Sequence, residues 1–291
     1  MIESVGDAVD GLFTVNSTML PLLVLDIFDN LVYPEPMESG NPKLNRSDHE
    51  SAGRPRRQAS VRVASVRVIP ALLRNLGANP AEVLAAAGVP PELFDDPDNR
   101  ISFALRSHLI RLCVDRTGCR HFGLLIGQQG GLHSLGLLGL LVQHSADVGS
   151  ALRSLVRCLH HHVQGAVTAL AVNDRGDAEL QHLETQVEAT DQTGDGAVAA
   201  MFNILRALCG ADWKPVEVLF AHRRPDDVRP FQQFFRAPLR FDAEHDGVVF
   251  PADWLQRPLA GADAGAAGRR NRWMRSSWRI AAISGNRCWP Y

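Results

Sequence analysis

Apolar residues fall at helical spacing in the first part of the ordered-looking chain and alternate in the second. The clearest stripe lies in 146–163, "ADVGSALRSLVRCLHHHV". There Val148, Leu152, Leu155, Val156, Leu159 and Val163 share one helix face while Arg153 and Arg157 point to solvent. Upstream, "VIPALLRNLGANPAEVLAAAGVPPELF" encodes two short helices in succession. Gly77 closes the first in a left-handed conformation. Asn79 caps the second, with Pro80 at its first position and Glu82 placed for a capping box, and Gly88 ends it. "ISFALRSHLIRLCVDRTG" predicts a third helix with Leu105, Leu109 and Leu112 on one face and Gly118 as its stop.

After residue 163 the period shortens. "GAVTALAVNDRGDAELQHLE" alternates on both sides of a turn-rich "NDRGD" and predicts a β-hairpin. A helix follows over 194–210, stopped by Gly210. Next come a strand over 215–222 with Val216, Val218 and Phe220 on one side, a helix begun or broken near Pro230, and two short strands within "PLRFDAEHDGVVFPAD". The pattern is α+β: a helical N-terminal half followed by a mixed strand/helix half, in one domain. No internal repeat is visible.

The flanks differ in composition. Residues 1–60 read as a poorly ordered extension, because 35–60 is polar and rich in Pro, Ser, Gly and charge. The apolar run at 17–34 is interrupted by Asp26, Asp29 and Asn30 and lacks a basic leader, which argues against an export signal or membrane anchor and for the cytoplasm. Residues 258–291 read as a linker and an atypical basic tail, leaving 61–257 as the folded domain. The tail holds six arginines and no acid; removing them from the net charge of −2 leaves −8 on residues 1–263, a poor match for phosphate backbones. Five cysteines, odd in number and without a CxxC, read as reduced thiols.

Few residues assemble into a chemical motif. His160, His161 and His162 are adjacent and project about 100° apart on a helix, so they cannot chelate together. Cys158 and His162 have the right spacing but no second pair, so no metal and no cofactor is expected. GxSxG, Walker and post-strand GxGxxG motifs are lacking, which argues against an enzyme. The glycine-rich "LIGQQGGLHSLGLLG" suits helix ends and tight backbone packing. In "FAHRRPDD" a strand ends in a basic cluster, so His222 with a neighbouring arginine could line a pocket for an anionic metabolite, with Arg223 and Arg224 otherwise solvated and Asp226 capping the next helix. His144, His162, Phe220, His222 and Arg223 are the candidate ligand-binding positions.

Several stretches, in order, resemble one family. "IPALLRNLGANPAEVLAAAGVPPELFDDPDNRIS", "HFGLLIGQQGGLHSLGLLGLLVQHSADVGSALRSLVRCL" and "DWKPVEVLFAHRRPDDVRPFQQFFRAPLRFDAEHDGVVFPADWLQRPLAGAD" are similar to the N-terminal, arabinose-binding-type domain of AraC/XylS transcriptional regulators, over about residues 66–263. The resemblance implies a single sensor domain that binds a small-molecule effector, between the β-region and the helix at 147–162, and that self-associates through a helical face. It also implies a C-terminal part with two helix-turn-helix units. Only 28 residues follow Asp263, too few for two such units, and the Arg/Trp/Gly/Ala-heavy tail resembles a change of reading frame. The expectation is therefore a truncated regulator without sequence-specific DNA binding, acting as a homodimer or as a heterodimer that disables an intact regulator. A stand-alone small-molecule-binding module is the alternative.

Overall fold

The computed structural model describes residues 59–184 and 191–259. The expected N-terminal extension, apart from Ala59 and Ser60, and the basic tail lie outside these residues, as does most of the 258–291 linker. Two short strands, β1 (Ser60–Arg62) and β2 (Arg100–Ser102), pair antiparallel around the first helices, α1 (Ile69–Asn75) and α2 (Pro80–Ala86). The turn between these helices follows its sequence closely. Gly77 is left-handed at φ +79°, and Asn79 caps α2 by accepting from the Ala81 amide at 3.1 Å. The capping box is modified: the Asn79 side-chain amide donates to Glu82 at 2.9 Å, side chain to side chain.

Helix α3 (Phe103–Thr117) starts later than the pattern suggests, because Ile101 and Ser102 belong to β2. Ser102 caps it through the Leu105 amide, and Gly118 ends it at φ +67°. Its buried face runs through Phe103, Arg106, Ser107, Ile110 and Cys113 as well as Leu109, so a charged residue occupies a core-facing position, and Leu105 and Leu112 are only half-buried. These elements and α4 (Phe122–Gln128) enclose one apolar core.

A second core lies between the helices α5 (Leu137–Gln143), α6 (Val148–Cys158) and α7 (Asp191–Cys209) and a sheet. That sheet has five strands in the order β3-β4-β7-β5-β6: β3 (Ala166–Val172), β4 (Asp177–Glu184), β5 (Glu217–Leu219), β6 (Leu239–Arg240) and β7 (Asp246–Pro251). All pairs are antiparallel except β5–β6. Helix α8 (Arg229–Phe235), with Pro230 in its first turn, connects β5 to β6. The predicted hairpin is present, its turn closed by Asn173 accepting from the Arg175 and Asp177 amides and by left-handed Gly176.

Helix α7 is the axis of the domain. It packs across β4 and β7 on one side and along α4 on another. The α4 contact needs glycine: a Cβ at Gly123 would lie 1.8 Å from the Gln192 carbonyl oxygen, and one at Gly127 would lie 2.3 Å from that of Gly196. Side chains of α7 also complete both ends of α4. Gln192 accepts from the Gly123 amide at 2.8 Å, and Asn203 donates to the carbonyls of Gly127, Gln128 and Gly130. This close approach fixes where the N-terminal turn of α7 meets the sheet.

Candidate functional site

Along β4 the core-facing positions are Ala178, Leu180, His182 and Glu184, so the buried face turns from apolar to polar at the end of the strand. His182 is the cross-strand partner of Thr168 on β3 and of Asp246 on β7, which sets three polar residues in a row on one face. The first turn of α7 comes down beside them and brings Thr193, Gly194 and Asp195. Gly194 has a specific reason to be glycine: a Cβ there would sit 2.5 Å from Oδ2 of Asp246.

His222 closes the site from the segment after β5. Its Nε2 donates to Asp195 Oδ1 at 2.8 Å and its Nδ1 to the Arg223 carbonyl at 2.8 Å. Burial opposes charge on this ring, but the carboxylate and the carbonyl outweigh it and raise its pKa to about 9. His222 is therefore an imidazolium at neutral pH, neutralised by Asp195, whose own carboxyl is pushed up by burial and held back by His222.

Two further ion pairs frame the site. Arg106 reaches from α3 to Glu184 Oε1 at 3.1 Å, with both side chains at least nine-tenths buried, and lies over the Phe103 ring. Thr193 donates to the other Glu184 oxygen at 2.8 Å. Burial works against ionisation of Glu184, yet His182, Arg106 and Thr193 hold its carboxyl below the usual range. His245 pairs with the buried Glu179.

These residues border a cleft of about 310 Å³, lined in part by His182, Glu184, Asp191, His222, Glu244 and Asp246. Asp246 Oδ1 accepts from the Ala221 amide at 2.9 Å, and burial pushes its carboxyl up. His182 is 7% exposed, and its Nε2, closed off from solvent, faces Glu184 Oε1 at 3.8 Å, an ion-pair rather than a hydrogen-bond distance.

The five sequence candidates separate in space. His222 lines the cleft. Phe220 is fully buried beside it, packed edge-on against Phe231 and Phe235. Arg223 is exposed and gives the site its carbonyl rather than its guanidinium. His162 is buried elsewhere, 3.1 Å from Arg62; burial first, then the charges of Arg62 and Arg100, push it down to about 4, so it is neutral. His144 is exposed at the end of α5. The cleft borders α7 rather than α6.

Sequence reading missed His182, Glu184, Asp195 and Asp246. The "QHLE" end of the hairpin carried a signal, since His and Glu there continue the buried face. The helix expected over 194–210 begins earlier, at Asp191, so "DQTGD", turn-like in composition, forms the first turn of α7. Among the described residues no group of His, Cys, Asp or Glu is arranged to hold a metal ion.

A family model for the N-terminal, arabinose-binding domain of AraC transcription regulators matches residues 77–259. The chain belongs to this family. It is similar to the ornithine utilization regulator of Pseudomonas aeruginosa, 29% identical over 203 residues that make up 69% of this chain and 59% of that regulator. Among solved structures it is similar to the transcriptional regulator CdpR of Pseudomonas aeruginosa, at 20% identity and a TM-score of 0.47, covering 67% of this chain and 59% of that one. The chain thus spans about three-fifths of the length of both of these regulators. No helix among the described residues is long and apolar enough to cross a membrane.

Proposed function

We propose that this AraC-type domain senses a small-molecule effector, bound in the cleft between the end of β4, the start of β7, the segment after β5 and the first turn of α7. The observation that carries the reading is convergence: three strands or their ends and one helix terminus deliver ionisable side chains to one cleft, while the rest of the sheet face is apolar core. An effector seated there touches the α7 terminus directly. Because α7 is locked to α4 by glycine contacts and by Gln192 and Asn203, a change at that terminus moves a packed helix pair. The domain would work in the cytoplasm and pass the signal to a DNA-reading partner.

Isothermal titration of the purified chain against small metabolites tests the reading. Ornithine comes first, since one relative is named for its utilization. Saturable binding that is abolished by Leu183→Trp, a cleft-lining substitution on an exposed strand position, is the expected result. Saturable binding that this substitution leaves unchanged would place the effector elsewhere.

Self-association belongs to the same proposal. Leu137 and Leu140 are more than half exposed on α5, and Leu140→Glu should lower the sedimentation coefficient of a dimer. A monomer at all concentrations would remove this part of the reading.

A further inference from the structure

We propose that the outer edge of β3 docks β3 of a second copy of this chain, the two strands running antiparallel about a two-fold axis at Ala169. This surface is separate from the α5 face: it extends the five-stranded sheet rather than packing helices together.

β3 ends the sheet, with β4 on its inner side and no strand among the described residues on its outer side. The hairpin fixes which backbone groups point outward. The Asn173 amide donates to the Asp177 carbonyl, so Asn173 belongs to a hydrogen-bonded pair. Counting back by twos, Ala171, Ala169 and Val167 bond to β4, while Val172, Leu170, Thr168 and Ala166 turn their N–H and C=O groups away from it. Among the described residues no other backbone segment bonds to these four. The edge also lacks the usual protection. It reads AVTALAV, seven residues with no charge and no proline, and Val172 is 59% exposed.

A second copy fits this edge by length, hydrogen bonding and charge. Antiparallel pairing over the whole strand sets Ala166 opposite the partner's Val172 and Thr168 opposite the partner's Leu170. All four outward-facing residues then meet outward-facing residues, for about eight hydrogen bonds in the pair. A slip of one residue would set outward groups against inward ones. Charge favours the same register. Asp174, exposed in the hairpin turn, and Arg100, beside the start of β3, each lack an ion-pair partner among the described residues. Arg100 donates to the Ser60 carbonyl, which also accepts from the Gln164 amide. The partner's Asp174 falls opposite Gln164 and so comes beside Arg100, once at each end of the two-fold pair. A foreign strand would have to supply that acid at a fixed distance, and a second copy has it by construction.

Ala169 carries the signature of this pair. It faces its own copy across the axis in a non-hydrogen-bonded position, with Cα atoms about 4.5 Å apart, within disulfide reach. In the full chain, Ala169→Cys should give a disulfide-linked dimer under copper–phenanthroline oxidation, above the wild-type background from the native cysteines. Val167→Cys, whose two copies would lie about 13 Å apart, should not. Val172→Pro removes an outward N–H and leaves the β4 ladder intact. It should keep the wild-type melting temperature and raise the dimer dissociation constant about tenfold or more in sedimentation equilibrium. No cross-link in Ala169→Cys, or equal cross-linking at both positions, would overturn the pairing, as would a Val172→Pro chain that associates like wild type. Leu140→Glu separates this contact from the helical one and should leave the Ala169→Cys cross-link in place. A cross-link lost on adding Leu140→Glu but kept on adding Val172→Pro would overturn the edge contact and leave α5 as the dimer face.

Discussion

His222 and Asp195, 27 residues apart in sequence, form a buried 2.8 Å ion pair that ties the segment after β5 to the first turn of α7. Its consequence is a pH dependence with a definite sign. The His222 pKa rises on folding from 6.5 to about 9, so the folded state holds its proton more tightly. That stability is fully present below pH 6.5 and is lost as pH climbs toward 9, by about 3 kcal/mol at most. Thermal melts should fall across this window in wild type and flatten in His222→Gln. The buried thiol of Cys113 and the half-buried thiol of Cys209, pushed up to about 12 by burial, cost stability only from about pH 9 upward, where the unfolded thiols ionise. A melt that declines only above pH 9 would therefore report the thiols and not this pair.

Removing one member of the Arg106–Glu184 pair should cost far more than removing both. Arg106→Met leaves a buried carboxylate without its cation, at about 3–5 kcal/mol, while the double variant Arg106→Met/Glu184→Gln should recover much of the loss. Urea denaturation of the four proteins in the cycle measures the coupling. Additive losses would mean that Glu184 is held mainly by Thr193.

The α4–α7 contact depends on glycine at Gly123 more than at Gly130. Gly123→Ala drives a methyl into the Gln192 carbonyl and should destabilise by about 3 kcal/mol or more. Gly130→Ala meets the Ala200 methyl at 3.0 Å and the Gly127 carbonyl oxygen at 3.2 Å, far looser than the 1.8 Å at Gly123, and should cost clearly less. Equal midpoints for the two variants in denaturant would refute this packing.

Asn203→Ala removes three hydrogen bonds to the end of α4 and should cost about 1–3 kcal/mol. Hydrogen exchange should quicken first in residues 122–128. A uniform change across the domain would instead indicate a general loss of packing.

Local chemistry made much of the fold legible in the chain. Gly77, Asn79 and Pro80 set a helix end and a helix start within four residues. Asn173 and Gly176 made the hairpin turn, and the stripe from Val148 to Leu155 announced α6. The three-residue strands β1 and β2 were not legible, because their partners are distant in sequence: each other, about 40 residues apart, and for β1 also the 162–164 segment.

The candidate site was less legible for the same reason. His222 stood out by its neighbours in sequence, but its partner did not, since "DQTGD" has the composition of a turn and becomes helix only when packed on the sheet and on α4. Nothing local in the sequence marks Arg106 as buried, because its partner Glu184 lies 78 residues away. Sequence by itself determined the run of helices followed by mixed strands and helices, the capped and glycine-stopped helix ends, and the acidic balance of the domain, because these follow from interactions within a few residues. Tertiary structure decided which charges neutralise each other and which are left facing the cleft. That choice depends on distances of about 3 Å between residues far apart in the chain, and in a buried site those distances set the sign of the charge left for a ligand.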